Sequence, residues 1–283
     1  MLGSGATRRS RRFDRMRAVM RVSFLHRRVA LLCATLLLAG AAGARAGVGV
    51  AALGPASSNP IDSGLESARA AAPEDVVVLH GLGRSGRVMR PLARKLERAG
   101  YRVHNLDYPS TSATPDELVE HLHREISACC AWSGRVHFVT HSLGGVLVRA
   151  YLAAHPMPQL GRVVMLAPPN HGSEYVDIAG DWRLFRVVLG PTAAELGTAA
   201  TSLPNRLPRA DFEVGVIAGT GSINPLGGAL IAGANDGTVS VVSTQLAGMR
   251  DWIALPVSHT FIMRNAEATR QAIEFLREGH FTH

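Results

Sequence analysis

The chain has 283 residues, enough for one large α/β domain or two small ones. Its formal net charge of +8 is unevenly placed: residues 1–46 hold ten of the 30 Lys and Arg and one acid, Asp14, leaving 20 basic against 21 acidic residues in the remainder. A near-neutral body without a basic patch excludes nucleic acid as an expected partner, and three cysteines (Cys33, Cys129 and Cys130) exclude a disulfide framework.

Arg27-Arg28 precede an apolar run from Val29 to Ala44, and Ala44-Arg45-Ala46 fits a small-x-small cleavage site before Gly47. Residues 1–46 are therefore expected to be an export signal, which places the protein in the periplasm or outside the cell. The 16-residue run is short of the roughly 20 that a spanning helix needs. An uncleaved amino-terminal anchor is the alternative. Leu32 before Cys33 argues against lipid attachment, because a lipoprotein site wants a small residue there. Residues 47–73, rich in Ala, Gly, Ser and Pro, read as a flexible lead-in.

From residue 74 to 283 a single domain is expected. Val76 to Leu79 is a short apolar strand of the kind buried on both faces of a parallel sheet. A helix over Val88–Ala99 ends at Gly100, and Tyr101–Leu106 is the next strand. Pro115, Asp116 and Glu117 open a second helix, with acids favourable at its start. Cys129 and Cys130 lie near its end, where adjacent cysteines are poorly placed to bond each other, so buried thiols are expected. Arg135–Val139 and Arg162–Leu166 are strands around a helix over Val146–Ala154. Strands Val214–Ala218 and Trp252–Leu255 and an amphipathic helix over Asn265–Arg277 complete the series. The βαβ spacing predicts an α/β class with a mostly parallel sheet and helices on both faces. Between about 173 and 210 the alternation fails, and Trp182, Phe185, Val187, Val188 and Leu189 suggest a small helical insertion over the sheet's carboxyl edge.

Thr140-His141-Ser142-Leu143-Gly144-Gly145 joins a predicted strand to a predicted helix. That context makes it a nucleophile elbow, in which a serine on a sharp turn projects its hydroxyl above the sheet. Thr140 stands where the usual pattern has glycine. A serine hydroxyl needs a base to take its proton, and the base needs an acid to orient it. In this architecture the order is Ser, acid, His, each after a strand. Among the five later histidines, His155 ends the helix behind the elbow, His171 precedes the candidate acids, and His280 and His283 lie on an expected free tail. His259 is the candidate base. Asp236, in an Asn-Asp-Gly turn, is the candidate acid, and Asp251 is the alternative. The bland reading of Asp236 is a turn carboxylate that caps backbone. An oxyanion hole requires two N–H groups; Leu143 follows the serine, and Leu82 lies in His80-Gly81-Leu82-Gly83 after the first strand.

On these motifs, with Asp107-Tyr108-Pro109-Ser110-Thr111, Ala167-Pro168-Pro169-Asn170-His171-Gly172-Ser173, Asn235-Asp236-Gly237-Thr238-Val239 and Val257-Ser258-His259, the chain resembles the lipase-like α/β hydrolases, particularly secreted bacterial lipases and esterases. The resemblance covers about 76 to 278 and implies hydrolysis of a carboxylic ester through an acyl-serine intermediate. Acyl transfer, thioester or amide cleavage could use the same residues, and a silent binding protein on the scaffold is the alternative of another class. No cofactor is expected. No carboxylate cluster calls for a metal, although several secreted lipases carry calcium. The expected partner is a small-molecule or lipid ester, with transient contact to a lipid surface, and the apolar insertion is expected to shape the acyl pocket.

Overall fold

The computed structural model describes residues 73–131, 133–179, 183–223 and 225–283; the expected export signal, the lead-in up to residue 72 and Trp182 lie outside the described residues. Six strands form one wholly parallel sheet: β1 (Asp75–Leu79), β2 (Arg102–Leu106), β3 (Val136–His141), β4 (Leu160–Leu166), β5 (Val214–Gly219) and β6 (Asp251–Leu255). Their spatial order is β2-β1-β3-β4-β5-β6, so the chain starts inside the sheet, steps out to one edge and returns to build the other. Every strand therefore ends on the same edge, where the following loops collect.

Side-chain alternation along β1 explains the two layers of core. Val77 and Leu79 pack on one face with Phe138, Leu118, Leu122 and Tyr151. Val76 and Val78 pack on the other with Met89, Leu92, Leu96 and Phe275. The first group is covered by α2 (Pro115–Cys130) and α3 (Leu143–Ala154), the second by α1 (Gly86–Arg98) and α9 (Ala266–Glu278). Helix α2 begins with a capping box, Thr114 accepting from Glu117 N–H while Glu117 accepts from Thr114 N–H, and Pro115 at its first turn needs no donor of its own.

Between β4 and β5 lie three short helices, α4 (Glu174–Ala179), α5 (Arg183–Ala194) and α6 (Leu203–Arg206). Helix α5 is broken at Gly190, whose φ of 78° suits glycine alone, and an added Cβ there would meet Thr111 O at 1.9 Å. Arg149 of α3 fastens this insertion from beneath. Its guanidinium donates to the carbonyls of Asn170, Pro204, Leu207 and Pro208, and burial lowers its pKa to about 10. The short helices α7 (Pro225–Leu230) and α8 (Val241–Thr244) follow β5. No helix among the described residues is long and apolar enough to cross a membrane.

Two expectations need correction. Cys129 and Cys130 are joined as a disulfide rather than standing as buried thiols; they are the last two residues of α2, where the carbonyls have no further intrahelical partner to hold them. The carboxyl terminus is not a free tail. Phe281 is buried against Phe275 with ring centres 4.9 Å apart, Phe281 N–H donates to Asp251, and His283 Nε2 lies 3.0 Å from the same carboxylate. The apolar ring of Phe281 has enough surface to dock the segment that carries it.

Candidate active site

Ser142 stands between β3 and α3 with φ 53° and ψ −121°, outside the regions that L-residues ordinarily occupy. Its N–H donates to Leu166 O at 2.9 Å, and its carbonyl accepts from Gly145 N–H at 2.9 Å, so the turn is pinned from both sides. Close packing dictates the small residues after it. A Cβ on Gly144 would lie 2.9 Å from Leu79 and from His80 O, and one on Gly145 would lie 2.9 Å from Pro168. Thr140 in place of the usual glycine fits because it is still in strand β3, where its hydroxyl donates to Val164 O at 3.4 Å.

His259 follows β6 and Asp236 follows β5, each on a loop at the carboxyl edge where Ser142 also lies. The three form one hydrogen-bonded chain. His259 Nε2 is 2.9 Å from Ser142 Oγ, and His259 Nδ1 is 2.7 Å from Asp236 Oδ2. Asp236 also fulfils its turn role. Its other oxygen accepts from Thr238 N–H at 3.0 Å and Val239 N–H at 2.8 Å, and its side chain is fully buried. The two functions are compatible because a carboxylate has two oxygens. Asn235 holds the loop by donating to the carbonyls of Gly228, Ile231 and Gly233. Asp251 is at the amino end of β6, on the opposite edge, and is occupied with Trp252, Phe281 and His283.

Leu143 is the first residue of α3, so its N–H belongs to the positive end of the helix dipole. Leu82 lines the cavity over Ser142, and among the described residues neither the Leu82 nor the Leu143 N–H meets a protein acceptor. The preceding His80 supports this loop from below. It is buried, its ring stacks on Tyr108 at 4.0 Å, and burial lowers its pKa, which keeps it neutral. Tyr108 N–H donates to His80 Nε2 at 3.3 Å, and the Tyr108 hydroxyl donates to His80 O. Gly81 must be glycine because an added Cβ would meet His141 Nδ1 at 2.9 Å.

Three further side chains at the site carry no role assigned from the sequence. His141 Nε2 donates to the His259 carbonyl at 3.0 Å, while His259 N–H donates to Asp236 O at 3.1 Å, so the His259 backbone is held at both ends. Burial pushes the His141 pKa well below its usual value, helped by the nearby His259, and the ring stays neutral. Ser173 donates to Thr238 O at 2.7 Å and ties the insertion to the Asp236 loop. Arg84 lines the cavity beside the elbow. His141 and Ser173 stand inside the sequence motifs and Arg84 directly after one, but a place in a motif does not reveal the partner.

The cavity has a volume of about 150 Å³. Its lining combines apolar side chains of the insertion, Val176, Leu189 and Leu196, and Val239 with Ser142, His259 and Arg84 from loops at the carboxyl edge of the sheet. Such a lining offers an apolar group contact with the insertion in the same cavity that holds Ser142.

An open parallel sheet with a strained serine at a strand-to-helix turn, and a His–Asp pair on later loops of the same edge, defines the α/β-hydrolase class. The chain belongs to the alpha/beta hydrolase family, whose model matches residues 76–281. No curated protein sequence matches it. Among solved structures it is similar to the mature lipase BlEst2 of Bacillus licheniformis, with 23% identity and a TM-score of 0.59 over 73% of this chain and 93% of that one. It is also similar to the phospholipase PlaB of Legionella pneumophila, with 16% identity and a TM-score of 0.60 over 74% and 60% of the two chains. The metagenomic carboxyl esterase MGS0156 gives 20% identity and a TM-score of 0.53 over 72% and 68%. At these identities the likeness is one of fold.

Proposed function

We propose that the protein is a serine hydrolase that cleaves carboxylic esters through an acyl-serine intermediate. The observation that carries the reading is the chain Ser142 Oγ–His259 Nε2, 2.9 Å, and His259 Nδ1–Asp236 Oδ2, 2.7 Å, at a cavity. Ser142 Oγ attacks the ester carbonyl carbon as its proton passes to His259 Nε2. The carbonyl oxygen becomes an oxyanion and is stabilised by the Leu82 and Leu143 N–H groups, each such donor contributing on the order of 10²–10³ in rate. Collapse breaks the C–O bond, and His259 returns the proton to the departing alcohol. Water then repeats the sequence on the acyl-serine, releasing the acid. Asp236 holds His259 in the tautomer with the proton on Nδ1 and balances the imidazolium that forms.

The lipase and esterase names of the fold neighbours favour esters among the acyl compounds that such a chain of groups could attack. The Arg27–Ala46 pattern supports an exported site of action. The test is turnover of nitrophenyl esters of rising acyl length by the purified full chain. Ser142→Ala is expected to lose about 10⁴–10⁶ in kcat. Equal turnover by the two proteins would sink the mechanism.

A further inference from the structure

Within the described residues, the arginines of the domain that are drawn into structure have partners. Arg102 pairs with Asp75, Arg162 with Glu213, and Arg149 with a set of carbonyls. Arg84 differs. It is half-buried in the lining of the Ser142 cavity, and among the described residues its side chain has no ion pair or hydrogen bond. The charged neighbour that acts on it is another cation, Arg264, and both this and burial disfavour the charged guanidinium. Among the described residues that line the cavity there is no carboxylate, and Asp236, which holds His259, is spent on that ring and the turn N–H groups. A guanidinium held partly out of water without a counter-charge is costly unless a ligand supplies one.

Arg84 shares the cavity with His259, the group that would protonate the leaving alcohol. Arg264 lies five residues after His259 on the same segment, and Thr260 of that segment lines the cavity with Arg84. On that reading the alcohol portion lies next to His259, within reach of a cavity lined by both His259 and Arg84. The acyl portion is left to Val176, Leu189 and Leu196. Resting on the hydrolase reading above, we infer that Arg84 recognises an anionic group, a phosphate or carboxylate, on the alcohol portion of the ester, with Arg264 adding to the field. A planar guanidinium suits either anion by paired N–H donors.

The test uses the full chain and two esters of one acyl group, 4-nitrophenyl butyrate and its 3-carboxy derivative, each rate being divided by its uncatalysed hydrolysis. Wild type is expected to favour the anionic ester at least about tenfold in kcat/KM, the cost of one lost charged hydrogen bond being of that order. In Arg84→Met the preference should fall towards one, and Arg84→Lys should restore part of it. A ratio unchanged by Arg84→Met, or a wild-type preference for the neutral ester, overturns the inference. A second pair, a short-chain monoacylglycerol and its 3-phosphate below their micellar concentrations, separates a soluble phosphorylated alcohol from a lipid surface. Preference for the phosphate as monomer supports a site in the cavity, and preference appearing only in vesicles overturns it. Calorimetric binding of the product 3-carboxy-4-nitrophenol to wild type and Arg84→Met reads Arg84 without catalysis. If no ester is turned over, the hydrolase reading falls, and weaker binding by Arg84→Met still supports Arg84 as an anion site. Equal binding removes that as well.

Discussion

Towards the amino edge of the sheet, His104 Nε2 lies 2.6 Å from Asp75 and His137 Nε2 lies 3.0 Å from Glu74; at the carboxyl edge His259 Nδ1 lies 2.7 Å from Asp236. By distance alone the three histidine–carboxylate pairs are alike. They differ in what the second ring nitrogen faces. In His137 it accepts from Arg162 N–H at 2.8 Å, and His104 stands within 4.8 Å of the Cys129 and Cys130 sulfurs. In His259 it meets the hydroxyl of a serine in strained backbone beside a cavity. A histidine held by an acid is thus not by itself a catalytic feature, and what sets His259 apart is the serine on its far nitrogen. The amino edge also balances its charges in pairs, whereas the carboxyl edge leaves Arg84 open.

The sharpest way to break this contrast is to remove the acid at each edge. Asp236→Asn should lower kcat by about 10⁴, because His259 then loses its orienting partner. Asp75→Asn should leave kcat within a few-fold and cost about 2 kcal/mol of stability, the worth of hydrogen bonds to one buried charge. Burial raises the Asp75 pKa, but bonds from Arg102, Ser133 and His104 outweigh it and hold the group at about 2. Its contribution is therefore full above the unfolded value of 3.8 and is lost as pH falls towards 2. Asp251→Asn belongs with Asp75. If it abolished turnover while Asp236→Asn did not, the acid would be misassigned. Nitrophenyl ester kinetics and urea unfolding on the same preparations give both readouts.

A smaller effect should appear with pH. His80, His137 and His141 are all depressed below 6.5, with burial the leading cause in each. Below 6.5 the unfolded chain takes up protons that the folded protein refuses, so stability falls as pH drops through that range. While it stays neutral, the buried His141 alone should contribute a slope that rises to about 1.4 kcal/mol per pH unit well below 6.5, and about 1.4 kcal/mol in all between pH 7.5 and 5.5. His141→Gln can still donate to the His259 carbonyl and should reduce the pH 7.5 to 5.5 decline in urea-unfolding free energy by about 1.4 kcal/mol in total. An unchanged decline would mean that His141 is protonated in the folded protein.

Much of the carboxyl edge was legible in the sequence because its logic is ordinal. Parallel strands end on one edge, so Ser142, Asp236 and His259 needed only their places after β3, β5 and β6 to be brought together. The boundaries of α1, α3 and α9 followed from periodicity to within a few residues. What stayed hidden depends on pairings between distant segments. Nothing local tells that Arg84 lacks a counter-charge, that His141 reaches the His259 carbonyl, or that Phe281 docks on Phe275. Asp236 looked ambiguous between turn and triad because each role uses a different oxygen of one carboxylate, and the structure contains both contacts.

The least effect is expected from the feature that the sequence argued against, the Cys129–Cys130 bond beside His104. A disulfide stabilises chiefly by closing a loop in the unfolded chain, and the gain grows with loop length. Here the bonded residues are adjacent, so the unfolded chain loses very little freedom. Reduction, or replacement of both cysteines by serine, should cost on the order of 1 kcal/mol or less, and the bond lies on the helix packed away from the Ser142 cavity. Ester turnover should therefore be the same with and without a dithiol reductant. Thermal unfolding in both conditions checks the stability, and mass spectrometry after thiol alkylation counts the thiols released. A loss of turnover on reduction would join the two edges that the histidine comparison separates, because β2 carries His104 and the loop after it carries Tyr108, the residue stacked under the Leu82 loop.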